Sequence, residues 1–183
     1  MNETSFDPGG FFQFDLAQGN VRSRGGTRVL MLSEGALAPL IQTAVASGDL
    51  TAVRTLGGQL GTIVASSLPG PVSSLTSAQI IAHAGAAMAL FGWGRLRLEQ
   101  WGDALVLQVD GLPPLDSDNL AVAALLGGLF STISGTEVAC VPLARSTKYM
   151  MVDPGVAEQV WIWSREGDNL ATISSKLRAA GER

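Results

Sequence analysis

The sequence predicts an α+β domain, a mostly antiparallel sheet packed with helices and assembled as an oligomer. Three observations predict the α+β class: apolar residues at helical spacing before residue 91 and again from 118, an alternating hairpin pattern at 94–111, and three β-prone runs after 136. The chain has 183 residues, 46% of them hydrophobic and only 15% charged. That length suits one domain rather than two, and the balance implies extensive burial rather than disorder.

Residues 1–26 carry Phe6, Phe11, Phe12 and Phe14 among glycines with no sustained period, so they read as a flexible arm ahead of a single domain at 27–183. "TRVLMLS" (27–33) is a short apolar run. A helix follows over about 36–47, where Pro39 is tolerable only near the first turn and Gly48 makes the stop. Asp49 can cap a second helix to about 66, with Val53, Leu56, Leu60, Ile63 and Val64 at helical spacing. "LPGPVSS" breaks the chain. The third helix, about 77–91, has Ser74 or Thr76 as its cap and Ile80, Ile81, Met88 and Phe91 as its larger side chains.

"GRLRLEQWGDALVLQVDG" gives the sharpest local signal, two alternating runs joined by Gly102 and Asp103. Pairing Trp101 with Ala104 puts Leu98 opposite Leu107 and Leu96 opposite Val109 on one face. Arg97 with Gln108 and Arg95 with Asp110 then share the other face, and a slip of one residue mismatches them. Asp116, Ser117 or Asp118 can cap the next helix, whose bulky side is Val122, Leu125, Leu126, Leu129 and Ile133. Its other side, Ala121, Ala124, Gly127, Gly128 and Ser131, is nearly bare. Runs at 136–143, 148–153 and 156–163 read as strands, with Asp153-Pro154-Gly155 as a turn between the last two. Asp168 can cap a closing helix over about 169–180.

Several function classes are excluded on composition and motif. The net charge is −4 and the twelve Lys and Arg are scattered, so no nucleic-acid footprint is present. Cys140 is the single cysteine, which excludes an intrachain disulfide and a Cys-rich metal site and favours a reducing compartment. No basic region leads into an apolar core at the N-terminus, and the longest apolar runs fall short of the roughly 20 residues a spanning helix needs. Asp116 and Asp118 lack calcium-loop spacing, "TLGGQLG" lacks the phosphate-loop lysine, and no serine sits in a nucleophile elbow. The acids Asp103, Asp110, Asp116, Asp118 and Glu137 suit turns, caps and solvent rather than a glycosidase pair. His83 reads as a hydrogen-bonded helix histidine and Cys140 as a small core residue. No metal and no cofactor is expected.

Glycine inside a helix costs up to about 1 kcal/mol relative to alanine, so Gly57, Gly61, Gly85, Gly127 and Gly128 imply compensating close contacts, within the chain or between subunits. Trp161 and Trp163 are further candidates for a core or a subunit seam.

The ordered combination "TLGGQLGT" with Gly57, Gly61 and Thr62, then "LPGPV", then "LFGWGRLRLE" with Gly92-Trp93-Gly94 at a helix-to-strand turn, then "LAVAALLGGLFSTISG", resembles the D-subunit family of the bacterial cellulose synthase operon. The resemblance spans about residues 36–163. It implies a non-enzymatic accessory protein whose dimers assemble into a cylindrical octamer. In that setting it guides or bundles nascent β-1,4-glucan beside the cellulose synthase complex and other cellulose-operon proteins. By position, Phe11, Phe12 and Phe14 would then contact glucan. The expected location is cytoplasmic, near the inner membrane, with the periplasm as the alternative. From a different class comes a second expectation, a dimeric hydrocarbon-binding module holding a small hydrophobic ligand, like the vinyl-reductase-type sensors and vesicle-tethering subunits.

Overall fold

The computed structural model describes residues 6–102, 104–143 and 146–181. Asp103 of the expected hairpin turn and the first five residues of the expected arm lie outside them. Among the described residues the chain forms β1 (Phe12–Asp15), β2 (Asn20–Ser23), β3 (Arg28–Val29), α1 (Glu34–Ser47), α2 (Thr51–Ser67), α3 (Ser77–Leu90), β4 (Arg95–Trp101) and β5 (Ala104–Asp110). There follow α4 (Leu120–Ser134), β6 (Ala139–Pro142), β7 (Lys148–Val152), α5 (Pro154–Glu166) and α6 (Leu170–Gly181). The fold is α+β, with one antiparallel sheet in the order β1-β2-β3 and another in the order β4-β5-β7-β6.

The central hairpin has the register that its alternation dictates. Trp101 pairs with Ala104, Leu98 with Leu107, Leu96 with Val109, Arg97 with Gln108 and Arg95 with Asp110. One face of the larger sheet carries Leu96, Leu107, Val109, Cys140 and Tyr149 into the main core, which α2, α3 and α4 complete. The other face carries Val141 and Met150 against Val160 of α5 and Ile173 of α6. The sheet is thus sandwiched between an inner and an outer helical layer.

Local chemistry sets the element boundaries. Thr76 and Gln79 form a capping box at the start of α3, the Thr76 hydroxyl accepting from Gln79 N and the Gln79 side chain from Thr76 N. Asp116 caps α4, its Oδ2 accepting from Leu120 N at 2.6 Å and Ala121 N at 3.2 Å. Asp49 accepts from Thr51 N at 2.9 Å, and hydrogen bonding to Thr51 lowers the pKa of its carboxyl.

The structure corrects three expectations. Residues 12–23, within the arm expected over 1–26, form β1 and β2, which with β3 make a three-stranded sheet whose strands of two to four residues are too short to show a period. Phe11, 1% exposed, anchors this sheet to the body, its ring 5.9 Å from that of Phe91. Residues 156–163 are helix, not strand. The Asp153 side chain accepts from Gly155 N at 2.7 Å with Pro154 in the first turn, so "DPG" opens a helix instead of turning a hairpin. Val160 and Ser164, one turn apart, form the buried stripe of α5. At α6 the side chain of Asn169, not Asp168, accepts from Thr172 N at 3.0 Å, while Asp168 pairs with Lys176. No described helix is long and apolar enough to cross a membrane.

Candidate functional site

The glycine-lined faces meet inside the chain. A methyl group at Gly57 would overlap the Leu125 carbonyl, and one at Gly128 would overlap the Arg54 carbonyl oxygen. At Gly61 it would lie 2.6 Å from Leu129 O, and at Gly85 2.9 Å from Leu96 O. Gly127 faces the Arg54 guanidinium, whose Nη2 donates to Ser131 Oγ at 3.0 Å and to Val138 O at 3.1 Å. Thr62 is exposed and donates to Gly58 O at 3.2 Å. The close approach these residues were expected to serve therefore occurs between α2 and α4, and between α3 and β4, of one molecule. Glycines occupied in this way do not point to a joint between copies.

The Gly92-Trp93-Gly94 turn exists to bury an indole. Gly92 (φ +80°) and Gly94 (φ +85°) take left-handed conformations that place Trp93 in the main core. Phe11, Phe12 and Phe14 do not act alike. Phe11 is buried and cannot reach a sugar ring, Phe12 packs partly buried against Phe11 and Phe91, and Phe14 is 59% exposed. Trp161 and Trp163 are half-buried against the outer cluster, with the Arg165 guanidinium over Trp161 and the Lys176 ammonium over Trp163.

Among the described residues, Ser23 has a buried hydroxyl without a partner, and two further places combine apolar surroundings with polar groups that lack partners. The first lies on the inner face, where Tyr149 of β7 comes near Asp116, at the start of α4, and Cys140 of β6. Tyr149 is 0% exposed, and its hydroxyl has no hydrogen-bond partner among the described residues. Asp116 Oδ1 is also buried and unpartnered, although Oδ2 of the same carboxylate caps α4. Burial above all, then the Asp116 charge and Cys140, push the Tyr149 phenol far above its ordinary range, so it stays a protonated donor. Burial pushes the Cys140 thiol up to about 12, leaving it neutral. Asn119, beside this cluster, is the non-glycine residue with positive φ (+58°) among the described residues, held with its side-chain amide toward Ser146 O at 3.5 Å.

The second place is a cleft of about 260 Å³ on the outer face, between β7 and α6, lined by Met150, Val152, Val156, Ser174, Leu177 and Arg178 among others. The Ser174 hydroxyl is buried without a partner among the described residues. A wider depression of about 630 Å³ beside Trp101 contains Lys148, which already pairs with Glu99 at 2.6 Å. That bond holds the Glu99 carboxyl below the usual range. His83 Nε2 is 2.9 Å from Ser67 Oγ, and burial, then the Arg24 charge, lowers its pKa. Among the described residues no group of His, Cys, Asp and Glu could hold a metal ion.

The fold has a solved counterpart. It is similar to the phenol-responsive sensory domain of the transcription activator PoxR, whose crystal structure was determined with phenol. The TM-score is 0.60 at 12% identity, over 82% of this chain and 91% of that one, a likeness of fold alone. No family model and no curated protein matches the chain. The cap role of Asp116 was readable in the sequence, but nothing in "KYMMVD" marks Tyr149 as unpartnered, because that property belongs to its surroundings.

Proposed function

We propose that the protein is a non-catalytic binding module for a small, largely apolar molecule carrying one hydroxyl, held where Asp116 and Tyr149 meet. The observation that carries this reading is the pair of unpartnered polar groups in an apolar interior. Each costs about 1–3 kcal/mol when left unsatisfied. One hydroxyl answers both, donating to Asp116 Oδ1 while accepting from the Tyr149 O–H. A phenol-responsive domain among solved structures of this fold supports the same ligand class. Entry would require the turn-rich connection 112–119 to open, and the left-handed Asn119 lies in that segment.

Isothermal titration with phenol and toluene tests the reading. Phenol is expected to bind saturably, and Tyr149→Phe to weaken it about tenfold, the equivalent of one hydrogen bond, with little effect on toluene. Absence of saturable phenol binding by the wild-type protein overturns the proposal.

A second reading keeps the oligomeric scaffold beside a cellulose synthase complex, at the cytoplasmic side of the inner membrane. Its support is Phe14, 59% exposed, next to Leu16, 88% exposed, at the β1–β2 hairpin, where an aromatic ring is open to stack on a sugar. Sedimentation velocity separates the two, since the scaffold requires an octamer-sized species and the binding module does not.

A further inference from the structure

The outer cleft is chemically unlike the inner pair. Met150, Val152, Val156 and Leu177 make its walls apolar, while Ser174 lies on the lining with its hydroxyl buried and Arg178 is an exposed lining residue whose guanidinium sits near Gly102 of the β4–β5 turn. Among the described residues Arg178 has no ion pair or hydrogen bond. Asp153, the acid on the lining, is committed to capping α5 through Gly155 N at 2.7 Å.

We propose that this cleft is a second binding site, for a small organic carboxylate whose head meets Arg178 and Ser174 and whose apolar body lies on Met150, Val156 and Leu177. A guanidinium forks onto a carboxylate through two parallel N–H donors, and a serine hydroxyl can add a third. The volume of about 260 Å³ exceeds the ~150 Å³ that admits benzene in an apolar cavity, so a benzoate-sized anion fits. A neutral isostere forgoes the charge-assisted bonds, and a dianion would meet Asp153. The preferred ligand is therefore a monocarboxylate with a compact hydrocarbon body.

The test titrates the full chain with benzoate, hexanoate and the neutral benzamide, using calorimetry at low and high salt. Benzoate should bind at least tenfold more tightly than benzamide and weaken as salt rises. Arg178→Gln should weaken benzoate about tenfold without changing benzamide, and Ser174→Ala should weaken it several-fold. Leu177→Trp, which fills the cleft, should abolish benzoate binding while phenol binding through Tyr149 persists. Equal affinity for benzoate and benzamide, an unchanged Arg178→Gln variant, or no saturation with benzoate overturns the assignment. Loss of the phenol response alone would overturn the inner-site reading and not this one.

Discussion

The two helical layers flanking the central sheet are built on opposite plans. In the inner layer α2 and α4 touch backbone to backbone, with Gly57 against the Leu125 carbonyl and Gly128 against that of Arg54. In the outer layer α5 and α6 stand off the sheet on side chains, with Val160 and Ile173 buried on Val141 and Met150 and an open cleft alongside. Backbone contact leaves no space for another atom, so the seam is a poor place for a guest. A layer propped on a few flexible side chains leaves room, and there the open cleft is found. At the inner polar pair, by contrast, the potential lies in unsatisfied atoms rather than in open volume.

The contrast can be broken by adding or removing methyl groups. Gly128→Ala has the largest expected effect, a destabilisation of about 3 kcal/mol or more, because the new methyl meets main chain that cannot rotate away. Urea denaturation followed by far-UV circular dichroism measures it, and a cost under about 1 kcal/mol would show the seam to be pliant. Ile173→Ala should cost about 2 kcal/mol, the low end of core truncations, since the neighbouring cleft lets the outer layer relax into the space. A loss equal to that of Gly128→Ala would mean that the outer layer is as tightly set as the inner one. Gly58→Ala should be neutral or stabilise by up to about 1 kcal/mol. It lies one residue from Gly57, but its methyl would meet the hydroxyl of the exposed Thr132 at 3.2 Å, a side chain free to turn, while helix propensity improves. Opposite signs for these two glycine substitutions would sharpen the distinction between contact with backbone and contact with a movable side chain.

Legibility followed the same division. Alternation determined the hairpin register because a slip would turn Leu96, Leu98, Leu107 and Val109 to the wrong face, and the structure has that register. The helical glycines announced close approach, yet a sequence carries no address for the partner, which proved to be another helix of the same chain for four of the five and strand β4 for Gly85. The α5 error came from local composition. Valine, isoleucine and tryptophan in alternation favour a strand, but the Asp153-Pro154 start and the buried Val160 and Ser164 stripe decide for a helix. The N-terminal sheet escaped because two- to four-residue strands are below the length at which periodicity can be read. Of the inner pair, Asp116 was visible as a cap, whereas Tyr149 became notable only through what does not surround its hydroxyl.

Cys140 has a practical bearing on how this molecule can be handled. A lone thiol, enclosed by the fold and held neutral, is shielded from thiol-directed alkylating and oxidising reagents while the chain stays native. An engineered Gln13→Cys on the outward side of the β1–β2 hairpin would then be the sole addressable handle for a spin label or fluorophore, with no need to strip the native cysteine first.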